Sequence, residues 1–161
     1  MKLWKIFSLV AIFSIIGVFT VGIAQADLTT DDVIANVTVE EACLISLDTN
    51  AITFGSMAPG EQHDTDVAVE ISNLGNIEAN VTILGTAWDD GNGNDFAVGQ
   101  TLWNTTTQEE YAGTALTGAP VLAIEDLAFG TPESLYFGLA VPAGTPAGTY
   151  EQTITFTLVC D

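Results

Sequence analysis

The stretch that decides the fold is residues 66–84, DVAVEISNLGNIEANVTIL. Apolar side chains recur at every second position on both sides of a turn at residues 73–76: Val67, Val69 and Ile71, then Ala79, Val81 and Ile83. A period of two is typical of strands with one buried face, and Asn and Gly favour turns. The stretch therefore predicts two half-buried β-strands joined by a short turn.

The same alternation continues along the rest of the chain, and helical patterns are almost absent. It is clearest in SLYFGLAV, residues 134–141, and in TITFTLVC, residues 153–160. Further strands are predicted at residues 33–39, 42–47, 52–54, 96–103 and 121–124. Short antiparallel strands separated by glycine- and proline-containing turns predict an all-β fold, a single antiparallel two-sheet β-sandwich of immunoglobulin-like type over residues 27–161.

Residues 1–26 have the pattern of an export signal. Lys2 and Lys5 precede an apolar run over residues 6–23, and residues 24–26, AQA, form a small-x-small cleavage site. The alternative is a retained membrane anchor, because the run approaches the length that spans a bilayer. No second apolar run follows, so we expect the mature protein to be extracellular or at the cell surface, with no membrane span of its own.

The mature chain is expected to carry no lysine or arginine. The two basic residues are Lys2 and Lys5, whereas all 21 acidic residues lie after residue 26, which gives a mature formal charge of −21. Such a surface repels anionic lipid and nucleic acid, so nucleic acid is excluded as a partner. The self-repulsion needs screening by salt or bound cations. A saline or cation-rich setting fits this composition.

The two cysteines, Cys43 and Cys160, lie near the two ends of the strand pattern. In an exported protein a structural disulfide is the leading interpretation, and a reactive or metal-binding thiol is the alternative. Cys160 shares the inward face of its strand with Phe156 and Leu158, and Cys43 shares an inward face with Ile45 and Leu47. We therefore predict that the two thiols meet inside the sandwich and form a disulfide.

Two segments resemble known surface modules. Residues 52–85, ITFGSMAPGEQHDTDVAVEISNLGNIEANVTILG, resemble a pattern of immunoglobulin-like modules in archaeal and bacterial secreted cell-surface proteins. Residues 141–158, VPAGTPAGTYEQTITFTL, are similar to the last strands of those modules and, distantly, of bacterial WxL domains. Phe156 stands where WxL domains have tryptophan. The resemblance covers roughly residues 42–86 and 132–160, and it implies a sandwich at the cell surface without naming a partner.

The segment DDGNGND, residues 89–95, concentrates oxygen atoms in a loop rich in glycine. Aligned to the EF-hand pattern, its Asp95 replaces the required glycine and Thr101 replaces the bidentate glutamate. It is therefore not an EF-hand, but such a loop can still bind a hard cation. The predicted Ca²⁺ ligands are Asp89, Asp90, Asn92, Asn94 and Asp95. The alternative is a simple hairpin connection, because these residue types tolerate positive φ.

Two kinds of feature point to sugars. Sequons at Asn36, Asn80 and Asn104 are candidates for N-linked glycosylation. Trp88 and Trp103 bracket the acidic segment, which suggests a surface on which a glycan could stack. The favoured interpretation for both tryptophans is packing over the end of the sandwich, where their rings bury a large area.

Catalytic residues are few. His63 is the only histidine, it lies in the polar stretch GEQHDTD, and no G-x-S-x-G sequence accompanies it. We interpret it as a solvated loop residue. Adjacent carboxylates such as Glu109 and Glu110 face opposite sides of a strand and do not form a glycosidase pair. We therefore expect no enzymatic activity.

A leading strand is predicted at residues 31–41, DDVIANVTVEE, with Val33, Ala35, Val37 and Val39 on one side. It either pairs with its own sheet or completes the sheet of a neighbouring subunit, which makes residues 27–40 an exchangeable strand.

The function predicted from these features is that of an exported structural protein of the cell surface or extracellular matrix, a filament subunit that assembles by strand addition. Its partners would be copies of itself or other surface proteins and glycans. The alternatives are a secreted glycan- or calcium-binding module and, less favoured, a secreted hydrolase.

Overall fold

The computed structural model describes residues 35–160, which form strands and loops with one 3₁₀ turn, Val98–Gln100. The export signal predicted for residues 1–26 lies outside the described residues. None of the described residues belongs to a helix that is long and apolar enough to span a bilayer. The strands are β1 (Ile45–Leu47), β2 (Gln62–Asn73), β3 (Ala79–Gly85), β4 (Trp88–Asp89), β5 (Asp95–Phe96), β6 (Thr101–Asn104), β7 (Thr114–Ala115), β8 (Val121–Leu127), β9 (Pro132–Ala140) and β10 (Ile154–Cys160).

The strands form two main antiparallel sheets. The larger sheet has the order β1-β2-β9-β6-β7, and the smaller has the order β10-β3-β8. The pair β4-β5 forms a separate hairpin. The predicted all-β, antiparallel two-sheet sandwich is confirmed.

The core lies between the facing sides of the two sheets. The predicted alternation holds, because inward positions of β2, β3 and β9 are buried and the positions between them are more exposed. The central side chains are almost completely shielded from solvent: Ile71, Val81, Ile83, Leu127, Leu135 and Phe137. Burying each of them contributes about 1.5–3 kcal/mol of transfer free energy.

The turn between β2 and β3 is held by a buried amide. The side-chain nitrogen of Asn73 donates to the carbonyl oxygens of Ile77 at 2.7 Å and Leu127 at 3.0 Å. Its side-chain oxygen accepts the N–H of Gly75 at 2.9 Å. Because these partners satisfy the amide, it can be buried without the usual desolvation penalty. The amide also links this turn to β8 in the smaller sheet.

The strand predicted at residues 42–47 is shorter than expected, since only Ile45–Leu47 is β-structure. Asn76 takes the backbone bonds of the preceding residues: its side-chain oxygen accepts the N–H of Ala42 at 2.7 Å, and its side-chain nitrogen donates to the carbonyl of Glu40 at 2.9 Å. At the other end of β1, the Asp48 carboxylate accepts the N–H of Glu70 at 2.8 Å. Backbone bonds continue past both ends of β1, from Leu74 N–H to Leu44 O and from Asp48 N–H to Glu70 O, and the side chains add to them.

Other strand boundaries also differ from the sequence prediction. Residues 35–39 and 52–54 are not β-strands, although Ile52 and Phe54 pack against the core. Residues 33–34 lie outside the described part of the chain. The strand predicted at residues 96–103 is divided by the 3₁₀ turn Val98–Gln100. Alternation reports which side chains face inward, but it does not report whether the backbone has a pairing partner.

The predicted disulfide is present, but the expectation that it lies inside the sandwich is wrong, because Cys43 is exposed and Cys160 is half buried. The sulfur atoms of Cys43 and Cys160 are bonded, the two Cα atoms lie 6.1 Å apart, and 117 positions separate the residues in sequence. Cys43 precedes β1 at one edge of the larger sheet, and Cys160 ends β10 at one edge of the smaller sheet. The bond therefore joins the two sheets at their edges.

Replacing both cysteines, Cys43→Ser with Cys160→Ser, is expected to lower the free energy of unfolding by about 4–5 kcal/mol, because the bond closes a long loop in the unfolded chain. Urea denaturation of the variant and the wild type would measure the difference. A reductant should destabilise the wild type and leave the variant unchanged. Equal unfolding midpoints in the two proteins without reductant would contradict the prediction.

Candidate functional site

The acidic segment forms a tight β-hairpin. Asp89 of β4 lies opposite Asp95 of β5. Between them, Gly91 and Gly93 have φ angles of 70° and 94°, which glycine adopts without a steric penalty. The hairpin connection considered from the sequence is therefore the conformation of this segment.

The carboxylate of Asp90 organises the hairpin loop. One oxygen accepts the backbone N–H groups of Asn92 at 2.8 Å and Asn94 at 3.0 Å, and the other accepts the side-chain amide of Asn94 at 2.7 Å. The Asn94 amide, followed by the Asn92 N–H, favours the charged carboxylate and holds the pKa of Asp90 below its ordinary value of 3.8. Asp90 is therefore an anion at the centre of the loop.

Asp89 and Asp95 add two further carboxylates on directly opposite positions of adjacent strands. Like charges in this arrangement repel each other, so a cation between them would relieve the repulsion. No group of three or more His, Cys, Asp or Glu side chains within residues 35–160 is arranged to hold a metal ion. Calcium binding would therefore need amide or backbone oxygens as well, and it stays a prediction.

An aromatic cluster joins the acidic hairpin to the sandwich. Trp88 stacks on Phe96, with ring centroids 5.6 Å apart and planes inclined by 14°. Phe96 contacts Tyr150 at 5.2 Å, and Phe54 meets Trp88 edge-on at 6.1 Å. The indole N–H of Trp88 donates to the Thr101 hydroxyl at 2.9 Å. One face of Trp88 is thus used in packing.

Trp103 belongs to the core. It lies opposite Phe137 in the pairing of β6 with β9, and only 8% of its surface is exposed. Its buried indole N–H has no hydrogen-bond partner in the described part of the chain. A sugar-stacking surface made from both Trp88 and Trp103 is therefore wrong, because Trp103 is inaccessible.

A groove runs along one side of the sandwich, between residues 47–54 and the start of β10. It consists of two adjoining lobes of about 500 and 330 Å³. Both lobes are lined by Ile52, Phe54, Trp88 and Tyr150. The smaller lobe also reaches Ile154 and Phe156. The smaller lobe therefore combines a mainly apolar lining with the start of β10, whereas the larger lobe is of mixed polarity and lies beside residues 145–150.

The inward face of β10 is only half buried. All four inward side chains are partly exposed, in contrast to the buried inward side chains of β3: Ile154, Phe156, Leu158 and Cys160. Within residues 35–160, β10 pairs only with β3, and no strand of these residues pairs with its second edge, which we call the unpaired edge. Sequence analysis missed this edge because the alternation of β10 is as regular as that of β3.

His63 lies in β2 and not in a polar turn. Its ring contacts Phe54 edge-on, with centroids 5.4 Å apart. Its Nδ1 atom is 3.0 Å from the carbonyl oxygen of Asp64 and 3.4 Å from a carboxylate oxygen of Asp66. A histidine base activates a hydroxyl or thiol, and neither of these partners is one.

The three sequon asparagines are at least partly exposed. The side-chain oxygen of Asn80 accepts the N–H of Asp126 at 3.0 Å, and that of Asn104 accepts the N–H of Thr106 at 3.3 Å. These bonds use the amide oxygen and not the nitrogen to which a glycan would be attached. Glycosylation of Asn36, Asn80 and Asn104 stays a prediction.

Comparisons with known proteins add no family to this geometry. No protein-family model matches the chain, and a search of curated proteins finds no match. The features that can indicate a function are therefore the acidic hairpin, the apolar groove and the unpaired edge of β10.

The Asp90 carboxyl is expected to titrate below pH 3.8, and Asn94→Ala should raise its midpoint by removing the amide that stabilises the anion. Carboxyl ¹³C shifts followed through a pH titration would measure both midpoints. Because the folded pKa is depressed, the stabilisation is present above the unfolded pKa and is lost as pH falls through the folded pKa. Asn92→Ala is the control and should raise the pKa of Asp90 less, since its backbone N–H still donates and its side chain is the smallest of the causes that lower this pKa. An unchanged midpoint in Asn94→Ala would refute this role.

Calcium is expected to bind weakly at the acidic hairpin, because clustered oxygens and the −21 charge attract a hard cation. Calorimetry should show that Asp90→Asn with Asp95→Asn removes the binding heat. The control, Glu125→Gln with Glu133→Gln, removes the same charge elsewhere and should retain binding. Equal heats from both double variants would assign the effect to general screening.

Proposed function

We propose that the protein is an exported structural component of the cell surface or extracellular matrix, and that it polymerises when one copy adds a strand to the sheet of the next. The observation that carries this proposal is the unpaired edge of β10 beside a half-buried apolar face. Unpaired N–H and C=O groups on an edge strand are a template for pairing with another chain. An added strand would satisfy these groups and cover the apolar face.

Two properties support a role outside the cell. The disulfide is of the kind that forms and persists in oxidising compartments. The absence of lysine and arginine after residue 26 leaves no cleavage site for trypsin-like proteases. Both properties suit a long-lived extracellular protein.

The acidic surface makes assembly dependent on salt. A subunit with a formal charge of −21 repels its copies at low ionic strength. Screening shortens the reach of this repulsion from about 30 Å at 0.01 M salt to about 3 Å at 1 M. Apolar contact between subunits is not weakened in the same way, so added salt favours the polymer.

A binding module is the second candidate, and the larger lobe of the groove favours it. Trp88 and Tyr150 line this lobe, and an added Cβ at Gly148 would lie 3.4 Å from a carboxylate oxygen of Asp90, so the acidic hairpin borders it. Aromatic rings beside polar oxygens suit a sugar. A binding module would bind glycan as a monomer. A hydrolase is the least supported candidate, because His63 has no hydroxyl or thiol partner in the described chain.

The proposed polymer is expected to form as salt is raised. Analytical ultracentrifugation of the mature protein should show monomers at about 0.01 M NaCl and large assemblies at about 1 M, where repulsion is screened. CaCl₂ at matched ionic strength distinguishes specific calcium binding from screening. Negative-stain microscopy would then show whether the assemblies are filaments. A wild type that stays monomeric in every salt and calcium condition would overturn the structural role and leave the binding module.

A further inference from the structure

The unpaired edge of β10 has a defined length and pattern. The strand is seven residues long, which corresponds to about 23 Å. Four of its side chains point into the sandwich, and all four are only half buried. Ile52 and Phe54 lie across the groove from it and are half buried as well. A strand laid along this edge would therefore find backbone partners on one side and apolar side chains beneath it.

The leading segment of the chain matches this edge in length and pattern. Residues 33–39, VIANVTV, are also seven residues long and place four apolar side chains on one side: Val33, Ala35, Val37 and Val39. None of the seven residues is charged, whereas Asp32 and Glu40 flank them directly. An uncharged insert avoids burying a carboxylate in an apolar groove.

The chain's own route makes the segment unsuitable for the groove of the same molecule. From Cys43 the chain runs through β1, where Ile45 lies opposite Asn73, and continues along the groove to Phe54. Cys160, bonded to Cys43, is at the C-terminal end of β10. A segment placed beside its own β10 would therefore have to reverse direction just before β1.

Nothing in the connecting residues supports such a reversal. Residues 40–44, EEACL, contain no glycine, proline, asparagine or aspartate, the residues that favour turns. The backbone of Glu40 and Ala42 is instead held by the Asn76 side chain. Gly75 allows this approach, since an added Cβ there would collide with the Ala42 carbonyl. Val39, the residue before those bonded to Asn76, is 74% exposed.

We propose that residues 33–39 of one copy occupy the groove along β10 of a second copy, so that Val37 of the first is buried near Ile52 and Phe156 of the second. This inference rests on the proposed polymerisation and names its donor and its acceptor. Each copy then presents one free segment and one free groove. The contact is heterologous and does not close on itself, so it generates a filament.

Four single substitutions separate the donor from the acceptor. Val37→Asp places a carboxylate on the inserted face of the segment, and Thr38→Asp places the same charge on its outward face. Ile52→Asp charges the groove, whereas Val159→Asp charges the outward face of β10, where the side chain is 41% exposed. Thr38→Asp and Val159→Asp are the controls, and sedimentation at about 1 M NaCl should show that both still form polymer. Val37→Asp and Ile52→Asp should need at least about a 10-fold higher concentration to assemble, since each would bury an unpaired charge in the contact.

Mixing the two assembly-defective variants gives the decisive measurement. Ile52→Asp retains an intact segment and Val37→Asp retains an intact groove, so their 1:1 mixture should form heterodimers and no polymer. Heterodimer formation also shows that both variants are folded. Hydrogen exchange should detect new protection of alternate β10 amides in the heterodimer and in the wild-type polymer.

Each alternative outcome overturns a different statement. Polymerisation of Ile52→Asp like the wild type, or a 1:1 mixture that stays monomeric while the wild type polymerises, would exclude this groove as the acceptor and leave the structural role in place. Protection of the outer β10 edge in dilute, monomeric wild type would show that the chain's own segment occupies it, against the exchange between copies. A wild type that never polymerises would overturn the structural role itself.

Discussion

The Cys43–Cys160 bond joins the two sheets at the edges formed by β1 and β10, where no hydrogen-bonded strand pair of the described chain links them. Cys43 leads into β1 at an edge of the larger sheet, and Cys160 ends β10 at an edge of the smaller one. Without the bond, packing across a half-filled groove would be the main force holding these edges together. The disulfide stabilises the fold by lowering the conformational entropy of the unfolded chain. This stabilisation requires no buried surface, so the two sheet edges can stay bonded while the groove between them is only partly filled.

The open seam and the acidic surface act in opposite directions on association. Half-buried side chains such as Phe156 gain free energy when another chain covers them, at about 25 cal/mol per Å² of apolar surface. The formal charge of −21 on residues 27–161 opposes contact between copies, and it does so over a distance set by the salt concentration. A short-range attraction combined with a repulsion that salt screens would make the proposed association depend on the salt concentration.

Sequence alternation located the central strands well and the pairing of the edges poorly. The strands around Val69, Val81 and Phe137 were predicted with the correct inward faces, because burial between two sheets imposes a period of two. The predictions failed at residues 42–44, which keep two backbone hydrogen bonds to the turn after β2 without forming a strand. They also failed at residues 52–54, where Ile52 and Phe54 pack against the core without β-structure. The burial of Trp103 in the core agrees with the interpretation that the sequence favoured, because an aromatic ring buries a large area there.

The sequence alone determined the fold class, the inward faces, the disulfide and the charge, because each follows from local periodicity or from residue counts. Only the tertiary structure decided which strand edge has no partner within residues 35–160 and which hairpin the acidic segment forms. Strand pairing depends on residues far apart in the chain: β10 beside β3, and residues 40–42 held at Asn76. The inward side chains of β10 are half buried because no strand of residues 35–160 lies along its outer edge. The residues of β10 alone cannot indicate whether a neighbouring strand is present.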